Sequence, residues 1–148
     1  MSSRRSRKAR TRPARVKRAY ALFLARARVV RVATADPSGR PHVVPVCAVF
    51  DSDRLWFATG KTGRKVSNLR ANARCTVVAD DYTEAWDALR GVMVEGTATI
   101  HVRNPRFRRV RRLLYAKYPQ YPTDAALGET DSAVVEVVPT HVFAWGFE

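Results

Sequence analysis

Val16, Tyr20, Phe23, Leu24 and Ala27 recur at helical spacing, with Lys17, Arg18, Arg26 and Arg28 mostly off that face. The spacing predicts an amphipathic helix of about four turns after Pro13, docked on the chain's own core. From Val29 the period falls to two. Val29–Ala35, His42–Phe50 and Leu55–Thr59 read as strands, joined by turns at Asp36-Pro-Ser-Gly39 and Asp51-Ser-Asp53. A short helix follows over Arg64–Ala71, marked by Val66 and Leu69, and then a strand over Arg74–Ala79. Asp80–Asp87 is an acidic connection, and Leu89–His101 is long enough to be one strand bent at Gly91 or Gly96. Asn104-Pro105 has the chemistry of a helix start, a capping side chain followed by proline in the first turn. That helix is expected to run to Tyr118, before Pro119 and Pro122, with Ser132–Trp145 as the last strand, interrupted near Pro139.

Short loops between neighbouring strands imply antiparallel pairing. The expected fold is mainly β (α+β): a six-stranded antiparallel barrel with helices at its ends. Residues 1–12 hold almost nothing to bury and are expected to be a disordered basic leader, with the domain over 13–148.

Composition changes this picture in one respect. The chain has 148 residues and a net charge of +14, but residues 1–35 carry twelve basic side chains and no acid. The body is therefore almost neutral, so the high isoelectric point is weak evidence for a nucleic-acid-binding fold. A second basic stretch, residues 103–117, has seven basic residues and no acid. Stacking aromatics are sparse there, so loose polyanion association is the most it suggests. No apolar run approaches a membrane span, and the first hydrophobic stretch is too short for a secretory signal. Cys47 and Cys75 lie in apolar runs and are expected as buried free thiols of a cytoplasmic protein.

Catalytic motifs are scarce. His42, His101 and His141 lie on separate strands, neither cysteine belongs to a C-x-x-C, and there is no G-x-S-x-G. Gly60-Lys61-Thr62 has Leu55 where a phosphate-binding loop of the Walker type needs glycine. What remains is Gly60-Lys61-Thr62-Gly63-Arg64-Lys65, a cationic turn between a strand and a helix. Positive charge opposes the dipole at a helix start, whereas an anion bound there reverses the sign; a solvated basic loop is the alternative.

Three segments, in order and in spacing, resemble the flavin-binding split-barrel family that includes pyridoxamine-phosphate oxidases and deazaflavin (F420)-dependent reductases. They are the hairpin 27–46, the strand–loop–helix–strand 55–78, and Asp80–Trp86 with Arg90–Gly96. The resemblance implies a split β-barrel homodimer that binds FMN or F420. The cofactor phosphate would meet Arg64 and Lys65, with Lys61, Thr62 and Thr59 nearby. The backbone of Val44-Pro45-Val46-Cys47 would run against the ring, a plain core strand being the alternative, and Trp145 and Trp86 would belong to a pocket that the partner's terminal or loop aromatics cover; for Trp86 and Tyr82 a core or interface anchor is the alternative. Gly91 stands where the oxidases carry glutamine, and their C-terminal arginine signature is missing. Pyridoxal-phosphate synthesis is therefore not expected.

The function so implied is hydride transfer between a bound flavin or deazaflavin and a small organic substrate. The chain would supply orientation, dryness and electrostatics rather than an acid–base pair. The alternative is a carrier without turnover, for flavin or for haem, with His42 or His141 as the haem ligand.

Overall fold

The computed structural model describes residues 12–148; the expectation of a disordered leader falls almost wholly outside them. In chain order the elements are α1 (Arg18–Arg26), β1 (Val30–Ala35), β2 (Pro41–Val46), β3 (Ala48–Asp51), β4 (Arg54–Gly60), α2 (Arg64–Ala71), β5 (Arg74–Asp81), β6 (Arg90–His101), α3 (Pro105–Lys117), α4 (Tyr121–Asp124) and β7 (Ser132–Trp145). A 3-10 turn over Trp86–Ala88 interrupts the acidic connection.

The strands form one antiparallel sheet in the order β2-β1-β5-β6-β7-β4-β3. Seven strands stand where six were expected, because the segment 42–50 divides. Val46 pairs with Val30 of β1, whereas Ala48 pairs with Phe57 of β4. Its two halves therefore lie at opposite edges of the sheet, one residue apart in sequence. Cys47 is the seam at which the curled sheet meets itself. Period-two patterning reports which way a side chain faces, not which neighbour a strand takes, so the division is invisible to it.

Two apolar clusters hold the fold. Inside the curl, Val30, Val32, Leu55, Phe57, Val77, Val92, Val94, Val135 and Val137 are buried with Leu24 of α1 and Leu69 of α2. Outside it, Trp56, Ala58 and Val134 are buried against Phe107, Val110 and Leu114 of α3. Strand β4 is thus covered on both faces, with Leu55 and Phe57 turned inward and Trp56 and Ala58 turned toward α3.

Three further expectations change in detail. Helix α1 has nine residues rather than about four turns. No side chain caps it, and the segment before it is tied down by Ala14, whose N–H donates to the Pro139 carbonyl at 2.7 Å. Pro122 lies in the first turn of a further helix, α4, instead of only closing α3. The interruption near Pro139 is a bulge: Glu95 pairs with His141 and Gly96 with Pro139, leaving Thr140 unopposed. The Thr140 hydroxyl donates to the Glu95 carbonyl at 3.1 Å. Cys75 is buried and its thiol is pushed up to about 11 by burial, whereas Cys47 is only partly buried.

Candidate functional site

The turn between β4 and α2 is anchored at both ends. Lys61 N–H donates to the Asp131 carbonyl at 2.9 Å, and Gly63 N–H to the Gly60 carbonyl at 3.2 Å. The first helical bond, Ser67 N–H to Gly63 carbonyl, leaves the amides of Arg64, Lys65 and Val66 ahead of the ladder. Gly63, in extended conformation, offers no capping side chain, and no acid lies in the first turn. Lys61, Thr62 and Arg64 are exposed and Lys65 and Thr59 partly so. Among the described residues, none of Lys61, Arg64 and Lys65 enters an ion pair. Three amides and three cations thus share one helix start with no close ion pair among the described residues, although Arg64 is near enough to Asp36 of the β1–β2 turn to help lower its carboxyl.

Buried Val66 and Leu69 hold α2 to the barrel, and the buried Asn68 amide donates to the Thr34 hydroxyl of β1 at 3.0 Å. That link sets α2 beside the β1–β2 hairpin. A small cleft there is lined by Asp36, Arg40, Pro41, His42, Arg64 and Asn68. Strand β2 runs away from this cleft toward the Cys47 seam. Val44 and Val46 face inward, opposite Val32 and Val30, while Pro45 faces outward opposite Arg31. Because β2 is an edge strand, one row of its backbone groups has no partner strand. An apolar strand with unpaired backbone groups suits a flat ring with a polar rim.

Trp145 lies elsewhere. It pairs with Gly91 near the far end of β7, while Thr59 pairs with Ala133 near the beginning of that strand. Twelve residues separate Ala133 from Trp145, a strand path of about 40 Å. One chain therefore does not bring Trp145 to the α2 turn. The indole instead covers Gly91: a Cβ there would come within 2.6 Å of Cη2 and 2.7 Å of Cε2. Among the described residues the buried Trp145 Nε1–H has no partner, and Phe143 lies beside the ring at 5.9 Å. The space a glutamine would need at position 91 is taken by Trp145. Tyr82 and Trp86 are exposed, Trp86 at 79%.

The basic helix α3 has a different character. Asn104 caps it, its side-chain oxygen accepting from Phe107 N–H at 2.9 Å. Arg108 pairs with Glu129 at 2.8 Å, Arg109 with Asp51, and Arg106 approaches buried Glu136 at 3.8 Å. The guanidinium groups of Arg109 and Arg108 hold the Asp51 and Glu129 carboxyls below the ordinary carboxylate range. A cleft of about 560 Å³ between α1 and β1, lined by Leu22, Phe23, Val29, Arg90 and Phe147, contains none of the candidate cofactor-binding residues.

The fold and the cationic turn can now be set beside known proteins. The family model for pyridoxamine 5'-phosphate oxidase matches residues 16–146. The chain belongs to that family. Its fold is shared by a conserved hypothetical protein, Rv2991 from Mycobacterium tuberculosis, at 25% identity and a TM-score of 0.75, covering 92% of this chain and 88% of that one. An F420 reductase matches at 25% identity and TM-score 0.67, covering 86% of this chain and 98% of that one. A FAD-binding protein from Mesorhizobium loti matches at 20% identity and TM-score 0.71, covering 85% and 91% respectively. No curated protein matches. Among the described residues no helix is long and apolar enough to cross a membrane.

Proposed function

We propose that this member of the pyridoxamine 5'-phosphate oxidase family is an oxidoreductase that binds FMN or F420. When bound, that cofactor carries the hydride to or from a small organic substrate. The observation that carries the reading is the uncapped start of α2, where Lys61, Arg64 and Lys65 surround free amides with no acid in the first turn and no close ion pair among the described residues. A phosphate there satisfies the amides, the dipole and the cations together. Thr59 and Thr62 add hydroxyl groups beside it. The edge backbone of Val44-Pro45-Val46-Cys47 orients the ring, and the apolar strand keeps water from one of its sides.

The reading requires a second copy of the chain. We assign the Trp145 that covers the ring to the other subunit, because within one chain the length of β7 lies between it and the α2 turn. The outer face of β2, β1, β5, β6 and β7 offers exposed apolar groups to a homodimer: Val43 and Phe143 are 65% and 54% exposed on it, and Pro45, Val78 and Met93 lie in the row that ends at Phe143, interspersed with Arg31, Thr76 and Glu95.

The first experiment is the visible spectrum of the protein as isolated, followed by titration with FMN and with F420. Flavin or deazaflavin absorption is expected. A Soret band would instead mark the haem carrier. The Arg64→Ala plus Lys65→Ala variant is expected to bind the cofactor at least a hundredfold more weakly, since each charge-assisted contact contributes about 1.5–3 kcal/mol. Undiminished binding in that variant would remove the phosphate site from α2.

A further inference from the structure

We propose that the start of α3 is an acid-sensitive clasp: a second proton on His101 turns the Asn104 side-chain amide over and withdraws the cap from the helix. None of the residues involved belongs to the candidate cofactor site, so the clasp stands or falls apart from the cofactor reading.

Donors and acceptors fix the resting state. The Phe107 N–H donates to Asn104 Oδ1 at 2.9 Å, so the amide nitrogen of Asn104 is the atom facing His101 Nδ1, 3.0 Å away. An amide nitrogen only donates, and the imidazole nitrogen it meets is therefore bare. The ring proton is then on Nε2, which donates to Oε1 of Glu136 at 2.9 Å. The other Glu136 oxygen accepts from Arg54 Nε at 2.7 Å. His101 and Glu136 are both buried, and each bond in this chain pairs one donor with one acceptor.

A second proton breaks the chain at one point. Carried on Nδ1, it sets N–H against N–H across the contact with Asn104. Turning the amide over offers Oδ1 to the imidazolium, but it then presents NH2 to the Phe107 N–H, which loses its acceptor. One amide oxygen serves the cation or the cap, not both. The charged groups facing His101 pull in both directions. Glu136 on β7 favours the imidazolium, whereas Arg54 on β4 and Arg106 on α3, 2.7 Å and 3.8 Å from that carboxylate, weaken its pull. The Trp56 ring, 6.0 Å away, adds no charge.

The turn that lays Asn104 on the ring is strained. Arg103 has φ 52°, a conformation that residues with a side chain seldom adopt. It is held there by its own Nε, which donates to the Glu129 carbonyl at 3.1 Å, and by Arg108, which donates to the Arg103 carbonyl at 3.4 Å. Arg108 N–H in turn bonds the Asn104 carbonyl at 3.2 Å, so the cap and the strained turn support each other.

The test follows the imidazole nitrogens of the full chain by NMR and the Phe107 amide by hydrogen exchange. His101→Gln identifies the His101 signals against those of His42 and His141. The singly protonated ring is expected to carry its proton on Nε2. On acidification the Phe107 amide is expected to lose at least tenfold protection over the interval in which His101 takes up its second proton, with the amides of β6 unmoved. Asn104→Asp separates the two events, because one carboxylate oxygen accepts from Phe107 N–H and the other from Nδ1–H. That variant is expected to keep the amide protected and to protonate His101 at a proton concentration at least tenfold lower than wild type. Denaturant unfolding gives a second readout: between about pH 8 and about pH 5 the stability of Asn104→Asp relative to wild type is expected to rise as pH falls, since its folded state takes the proton and keeps the cap. A proton resting on Nδ1, a Phe107 amide indifferent to the His101 titration, or a relative stability that stays flat or falls refutes the clasp.

Discussion

Helices α2 and α3 begin in nearly the same chemistry and resolve it in opposite ways. Both have basic residues at or near the first turn and no acid within it. At α3 the protein supplies what the helix start needs. Asn104 caps it, Pro105 removes one donor, and Glu129, Asp51 and Glu136 arrive from other elements to meet the arginines. At α2 nothing is supplied: the cap is a glycine, and no carboxylate is paired with Lys61, Arg64 or Lys65. A basic stretch is therefore informative only after its internal counter-charges have been counted. By that count α3 is answered in part from within, since Arg106, Arg108, Arg109 and Arg111 each reach one of three carboxylates, and α2, with no close ion pair, is a vacancy for an external anion.

The largest expected effect tests the internal side of this comparison. Glu136 is buried, with one oxygen 2.7 Å from Arg54 Nε and the other 2.9 Å from His101 Nε2. Asn104 joins the same network through His101 Nδ1, at 3.0 Å, so the cap of α3 and the buried carboxylate are linked. Removing one member of a buried charged set leaves its partners unanswered. Glu136→Gln is expected to cost about 3 kcal/mol, seen as a melting temperature lowered by about 10 °C, with cofactor affinity retained. A change confined to cofactor affinity would mean that the α3 network belongs to the binding site.

A smaller effect separates the two caps. Asn104→Ala is expected to cost about 1 kcal/mol of stability by denaturant unfolding, because the Phe107 amide loses its acceptor. An equal loss of cofactor affinity in that variant would erase the distinction between the two helices.

Lys117, in the last turn of α3, has no carboxylate partner among the described residues; it donates to the Ala27 and Ala48 carbonyls at 2.7 Å each. Burial, with help from Arg28, lowers it from the ordinary lysine value of 10.5 to about 8. The folded state therefore gives up this proton before the unfolded state does. The cost of burying the charge is fully present below pH 8 and is relieved as pH rises toward 10.5. Stability measured by denaturant is expected to gain over that interval in wild type relative to Lys117→Met. The gain is small because the amine is only half buried. Equal slopes in the two proteins would show that the carbonyl pair fully compensates the burial.

The strands, their inward and outward faces and the start of α3 were legible because each depends on residues adjacent in sequence. Val30, Val32, Val92 and Val94 alternate, and Asn104-Pro105 is a local signal. The counter-charges of α3 were not legible: Asp51 lies 58 residues from Arg109 and Glu129 lies 21 from Arg108. Nor was the division at Cys47, which depends on which strands flank each half of one segment. Within the candidate site, Lys61, Arg64 and Lys65 could be found by their spacing at a helix start, whereas Arg40 and His42 belong to a different hairpin and meet Arg64 only once Asn68 has bonded to Thr34. Trp145 was singled out by resemblance alone; the signal that places it is cross-strand, a glycine at 91 opposite an aromatic residue.

The smallest stability effect is the sharpest test, because it converts one helix start into the other. Gly63 has φ −72° and ψ 167°, which any residue adopts, and a Cβ there would stand 3.5 Å from the Gly60 carbonyl oxygen in ordinary contact. Gly63→Asp is therefore accommodated, and its carboxylate can accept from the free amides as Asn104 does at α3. Replacing glycine at a cap with aspartate is expected to gain a few tenths of a kcal/mol, with a similar contribution from the dipole and the neighbouring cations. The same carboxylate occupies the place of the cofactor phosphate and repels it. The expected signature is a protein slightly more stable to denaturant that binds FMN or F420 at least tenfold more weakly. Stability and affinity falling together would instead mean that the α2 turn was disturbed, and rising together would mean that the phosphate is held elsewhere.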